Sequence, residues 1–199
     1  MPRPENKSPE TKSRKPKAAP RPMTQRRLEN IAKFYIERFA TTAANLKRVL
    51  GRRAERALRV HGGDKAECAS WIEAVVARFV KAGLVDDVRY TMDKAASLRR
   101  LGKGPGKIRA LLIAKGVDRA LVDVALDAGA MTITGEDAAF EAALAYARRR
   151  RLGPFGADIT DRDEKRAKAT KDLSALGRAG FSYAIAKRIV SAATPEDIA

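Results

Sequence analysis

LVDDVRYTMDKAASLRRLGKGPGKIRALLIAKG, residues 84–116, is the stretch on which the reading of this chain turns. Between two apolar, basic segments it packs Gly102, Lys103, Gly104, Pro105, Gly106 and Lys107. Either this is a phosphate-cradling loop of an enzyme, or it is a turn between helices. A Walker loop needs G-x-x-x-x-G-K-[S/T], so that backbone amides wrap the phosphates and a hydroxyl holds magnesium. Here Ile108 follows Gly106-Lys107, and Leu101 stands where the first glycine belongs. The dinucleotide pattern G-x-G-x-x-G fails as well, because the spacing is G-x-G-x-G. Both motifs also need a strand to feed them, and Ala95, Ala96 and Leu98 precede the loop in a Leu/Arg/Ala-rich helical segment.

A turn accounts for the residues better. Gly102 and Gly104 end one helix, Pro105 opens the next, and Ile108, Leu111 and Leu112 fall on one face of it. Lys103, Lys107 and Arg109 then sit at or near that helix's N-terminus, where free amides can add to phosphate binding. A helix-hairpin-helix phosphate clamp stays open as a weaker alternative, since such clamps use a G-h-G turn and the middle residue here is Lys103. At the other end of the stretch, Asp86 or Asp87 caps the preceding helix. Acid-base chemistry by this pair is disfavoured, because neighbours on a helix diverge by about 100°.

Upstream, Ile31, Tyr35 and Phe39 mark a first helix, and Leu46, Val49 and Leu50 a second after the start signal Thr41-Thr42. His61-Gly62-Gly63 breaks the pattern, and His61 reads as an exposed loop residue. Asp64 and Glu67 resemble a capping box ahead of Cys68, Trp71, Ile72, Val75, Val76, Phe79 and Val80, one continuous apolar face. Cys68 and Trp71 lie on that stripe and read as core. Downstream, Leu112 to Val117 is echoed by Leu176 to Phe181, each glycine being followed by an apolar residue and a cap, Asp118 or Ser182. Stripes of Leu121, Val122, Ala125 and Leu126, and of Ile185, Ala186, Ile189 and Val190, follow in turn. The chain therefore reads as all-α, three imperfect three-helix units covering residues 28–84, 85–130 and 131–199. Residues 1–27, rich in Pro, Lys, Arg and Ser, read as a disordered basic tail, either a solubilising leader or a polyanion-binding arm.

Charge narrows the partners. The 199 residues hold 41 Lys and Arg against 24 Asp and Glu, a net charge of +17. The tail has nine basic residues against Glu5 and Glu10, so ten of those charges belong to the remainder. Such a field attracts polyanions, nucleic acid first, with an anionic membrane surface or an acidic protein face as alternatives. One cysteine and one histidine argue against a disulfide framework and a zinc site. No apolar run approaches a membrane span, and no secretory signal core is seen, so a cytoplasmic protein is expected, without metal or cofactor.

The motifs resemble those of the RecX regulatory proteins. Their L-h-D-D-x-R-Y start is similar to Leu84-Val85-Asp86-Asp87-Val88-Arg89-Tyr90. Their G-x-G-P-x-x-I-R-x-x-L is similar to Gly102 to Arg109 with Leu112, and their K-G-h to Lys115-Gly116-Val117. Arg148 to Arg151 with Leu152-Gly153-Pro154-Phe155 looks like the family's basic corner, while the first unit replaces K-G-h by Arg53-Ala54. The resemblance implies an elongated helical array and a monomeric regulator, not an enzyme. It implies binding to the RecA recombinase and its filament on single-stranded DNA, with restraint of ATP hydrolysis, strand exchange and co-protease activity. Candidate contacts are Tyr90 and the cations Arg89, Arg99, Arg100, Lys103, Lys107, Arg109, Arg148, Arg149, Arg150 and Arg151, the cations positioning a phosphate backbone or an acidic face rather than reading bases. Tyr90 could instead stack on a base or pack in the core. The competing function is a basic helical DNA-binding or architectural module with no recombinase partner.

Overall fold

The structure, a computed structural model, describes residues 21–128, 135–157 and 159–198. It is all-helical: α1 (Gln25–Ile36), α2 (Ala43–His61), α3 (Lys65–Lys81), α4 (Asp87–Arg100), α5 (Pro105–Ala114), α6 (Arg119–Asp127), α7 (Gly135–Arg150), α8 (Arg162–Ala179) and α9 (Tyr183–Val190), with short 3-10 turns at Gly153–Phe155 and Glu196–Ile198. Among the described residues there is no strand.

Capping sets where most of these helices begin. Thr24, Thr42, Asp64, Asp86, Asp118, Asp161 and Ser182 each accept a backbone N–H from the first turn that follows. The expected tail is thereby shortened: Thr24 caps α1, so Gln25, Arg26 and Arg27 are helical, and Arg27 donates to the carbonyls of Arg21 and Pro22. Residues 1–20 lie outside the described residues, as does the expected boundary at residues 130 and 131. Two further expectations shift. Phe39 lies beyond the end of α1 and is 56% exposed, and His61 is the last residue of α2 rather than part of a loop.

The helix stops follow one design. At Gly83, Gly102, Gly116, Arg151 and Gly180 the backbone turns left-handed. In each case that residue's N–H returns to the carbonyl three before it, and the next N–H to the carbonyl five before its own. This is the physical content of the glycine-then-apolar echo: the residue after the stop, Val117 or Phe181, is drawn down into the core.

Apolar side chains collect into three clusters in chain order. Leu28, Leu46, Leu50, Val75, Val76 and Phe79 anchor the first, Leu98, Ile108, Leu112 and Val122 the second, and Phe140, Leu176, Phe181 and Ile189 the third. Cys68 is buried in the first cluster, where desolvation, reinforced by Glu67 and Asp64, pushes its thiol pKa up and keeps it protonated. Val80, placed on the same stripe by its spacing, is 46% exposed because α3 is ending there.

Adjacent units meet end to end, at their middle helices. The C-terminal carbonyls of α5 face the N-terminus of α2: Thr42 Oγ1 donates to the Lys115 carbonyl at 2.6 Å, and Arg48 Nη2 to that of Ala114 at 2.9 Å. The C-terminal carbonyls of α8 face the N-terminus of α5 in the same sense, with the Gly104 N–H donating to Ala179 O at 2.8 Å and the Gly106 N–H to Gly180 O at 3.1 Å. In each joint a positive helix end meets a negative one. Asp87, the second of the paired acids, completes the first joint by accepting the Ala43 N–H at 2.8 Å, while Asp86 takes the capping role.

Approach this close excludes side chains. A Cβ at Gly104 would lie 2.5 Å from the Gly180 carbonyl carbon, and one at Gly180, where φ is +96°, would collide with the Lys107 backbone. Gly180→Ala should therefore lower stability by roughly 2 to 4 kcal/mol, from left-handed strain and overpacking together. Gly51→Ala, in the interior of α2 with nothing within 4 Å of its Cβ direction, should raise it by about 0.5 to 1 kcal/mol. Urea denaturation of the two variants beside the parent checks both signs.

Candidate functional site

The joint between the second and third units resolves what the glycine turn does. Its amides are not free for phosphate: those of Gly104 and Gly106 are taken by Ala179 and Gly180, and that of Lys107 by the Gly104 carbonyl. The helix-hairpin-helix clamp and the amide contribution to anion binding are thus overturned, because the third unit already supplies the acceptors. Gly104 also changes role, serving as the residue before α5 rather than ending α4, with Pro105 at the first helical position.

The candidate cations fall into two groups. Arg99 and Arg109 are engaged within the protein. Arg99 donates through Nη2 to the carbonyls of Ala125 and Leu126 at 2.5 and 2.9 Å, closing the C-terminal end of α6. Arg109 sends both Nε and Nη2 to Asp123 Oδ1, at 3.1 and 2.9 Å, holding α5 to α6. Tyr90 is half-buried beside the second cluster, and burial pushes its phenol pKa up, with Tyr35 of the first unit adding to the effect. It sits at the seam of two units, which favours packing over base stacking.

Arg89, Arg100, Lys107 and Arg148 to Arg151 are exposed, and Lys103 is partly so. Arg89 has only a loose contact with Asp93, at 3.9 Å between two well-solvated groups, which holds neither in place. The glycine turn and the basic corner, distant in sequence, are brought together in space where Arg149 meets Gly102. The Arg149 guanidinium lies over Gly102, the residue before Lys103, where a Cβ would come within 2.6 Å of its Nη2. Aromatic rings steady the corner: Arg148 lies over Phe155 at 5.5 Å, and Arg149 and Arg150 beside Tyr146 at 5.7 and 5.8 Å.

Arg151 departs from the other helix stops in bearing a side chain. It is the only non-glycine residue with positive φ among the described residues, at +56°, in a stop that uses glycine at four other places. Keeping a cation there costs about 1 kcal/mol or more of left-handed strain. Beneath it, Asp172 is buried and accepts the Gly153 N–H at 2.8 Å and Lys168 Nζ at 2.9 Å, fixing the turn after Arg151 to α8. Sequence reading missed Asp172; its only signal was the i, i+4 spacing from Lys168 on a highly charged helix.

Among the described residues no group of His, Cys, Asp and Glu is arranged to hold a metal, and no helix is long and apolar enough to cross a membrane.

Comparison with known proteins agrees with this architecture. A family profile described as RecX, second three-helix domain, matches residues 86–126, the span of α4 to α6. The Regulatory protein RecX of Myxococcus xanthus is 41% identical over 179 residues, 90% of this chain and 91% of that one. That of Agrobacterium fabrum is 28% identical over 167 residues, covering 84% and 83%. The crystal structure of RecX from Lactobacillus salivarius superposes with a TM-score of 0.55 over 83% of this chain and 94% of that one, at 19% identity.

The engaged and the exposed arginines should separate by experiment. Arg99→Ala should cost roughly 1.5 to 3 kcal/mol, the range for a hydrogen-bonded charge, whereas Arg100→Ala, one residue on and exposed, should stay within about 0.5 kcal/mol. Arg151→Gly should gain about 1 kcal/mol by relieving the left-handed strain. Urea midpoints of the three purified variants read out all three shifts.

Proposed function

The chain belongs to the RecX family of regulatory proteins, and on that premise we propose that it binds the RecA recombinase and its nucleoprotein filament on single-stranded DNA. There it restrains ATP hydrolysis, strand exchange and co-protease activity, and so modulates recombination and DNA repair. It acts in the cytoplasm, as a monomer and by binding rather than by catalysis.

The observation that carries this reading is the meeting of the glycine turn of one unit, which bears Lys103, with Arg148 to Arg151 of the next across the Arg149–Gly102 contact. Cations borne on units stacked in series suit a partner that is itself a repeating, negatively charged surface. Several modest contacts along such a partner raise avidity without one strong site. Because the turn's amides are used within the protein, the interaction rests on side chains, which position a phosphate backbone or an acidic protein face and carry no base specificity.

Titrating the purified protein into a RecA, ATP and single-stranded DNA reaction should suppress ATP hydrolysis at substoichiometric ratios. Unchanged hydrolysis at equimolar protein would overturn the reading. Replacing Arg148, Arg149 and Arg150 together by Ala should shift the half-inhibitory concentration upward by roughly tenfold or more, the size expected for several charged interfacial contacts. Co-sedimentation with RecA in the absence of DNA separates this function from that of a module that binds DNA alone.

A further inference from the structure

We propose that the groove between α5, α8 and the start of α9 is a binding site for the backbone of a single-stranded nucleic acid. Lys107 and Arg178 serve as its phosphate contacts, and Tyr183 as a stacking platform for an unpaired base. The inference deepens the function proposed above and rests on it for the source of the strand, the DNA within the filament.

The groove has a volume of about 570 Å³ and opens on the flank of the joint between the second and third units. Gly106, Gly177 and Gly180 contribute to its lining, and Gly177 faces open space with nothing within 4 Å of its Cβ direction. A phosphodiester backbone can therefore come close to the protein main chain. Cations stand on two of its walls: Lys107 and Arg109 on α5, and Arg178 in the last turn of α8. Arg109 is held in place by Asp123, whereas among the described residues no carboxylate pairs with Lys107 or Arg178. Their charge is left for a ligand.

Ser182 lines the groove, and the next residue, Tyr183, is 70% exposed at the first position of α9. A tyrosine this exposed contributes nothing to the core. Cations tracking a backbone, with an aromatic ring alongside, form the usual combination for single strands, because every base has a face to stack. An acidic peptide fits less well. Peptide affinity depends on side chains seated in apolar sockets, and the large apolar side chain in this lining, Phe181, is itself buried in the third cluster.

The test is fluorescence anisotropy of end-labelled oligo-dT with the full-length protein, without recombinase, across a salt series. For Lys107→Ala/Arg178→Ala, loss of two phosphate contacts should reduce the slope of log affinity against log salt by about 1.4. Affinity at low salt should fall by roughly tenfold. Tyr183→Ala should weaken binding by about fivefold or more with the slope unchanged, and Tyr183→Phe should restore it, since stacking needs the ring and not the hydroxyl. Unaltered thermal melts confirm that the variants remain folded. Parental slope and affinity in the double variant would overturn the proposal, as would absence of oligo-dT binding by the parent. If the double variant binds oligo-dT normally but no longer restrains RecA, the groove takes a protein surface, which overturns the proposal and leaves the regulatory function standing. If the parent fails to restrain RecA, that function falls while the oligo-dT measurement still decides the groove.

Discussion

The backbone amides at the N-terminus of α5 and the carbonyls at the C-terminus of α8 meet directly, at 2.8 and 3.1 Å, and much else in the protein is arranged so that they can. Every helix leaves unpaired donors at its start and unpaired acceptors at its end. This chain uses one set to satisfy the other across units, so each joint removes two groups of orphans at once and sets opposite dipole ends against each other. Such contact requires the two backbones to approach without side chains between them, which is why Gly104, Gly106 and Gly180 stand where they do. The joint to the first unit solves the same problem with different chemistry. There Thr42 both caps α2 and donates to the Lys115 carbonyl, and Gly116 lies against Ala44, where a Cβ would come within 2.5 Å of the alanine methyl.

That constraint has a consequence for binding. A glycine-rich turn opening a helix is ordinarily a place where anions collect, because its amides point outward. Here they point into the next unit, so the strong positive field of the protein is expressed through flexible side chains on the flanks of the joints. Side-chain cations adapt to a backbone of variable geometry but do not fix its sequence. A regulator acting along a filament, whatever stretch of DNA the filament has coated, needs that combination.

How much of this was legible in the sequence follows from the range of each interaction. The helices, their caps at Thr42, Asp64, Asp86, Asp118 and Ser182, and the buried stripes of α3, α6 and α9 are local features written in i, i+3, i+4 spacing. The repeated glycine-then-apolar stop was visible too, as an echo between residues 112–117 and 176–181. The use of these helix ends as joints between units was not, because the hydrogen bonds across the joint join residues about 75 positions apart, and a single sequence carries no record of pairing at that distance. The candidate cations show the same division. Composition marks Arg99 and Arg100 alike, yet Arg99 closes α6 and Arg100 faces solvent, a difference of one helical step of about 100°. Arg178 was passed over for the opposite reason: nothing near it in the chain is unusual, and only its placement in one groove with Lys107 gives it a role.

The middle helix of the third unit begins differently from those of the other two. The N-terminus of α2 receives α5 and that of α5 receives α8, but the N-terminus of α8 is closed by its own carboxylates. Asp161 accepts the N–H groups of Asp163 and Glu164 at 3.0 and 2.8 Å, and those two residues place further negative charge in the first turn. An acidic cap thus stands where the inner units carry glycine or threonine, and it stabilises the helix by about a kcal/mol.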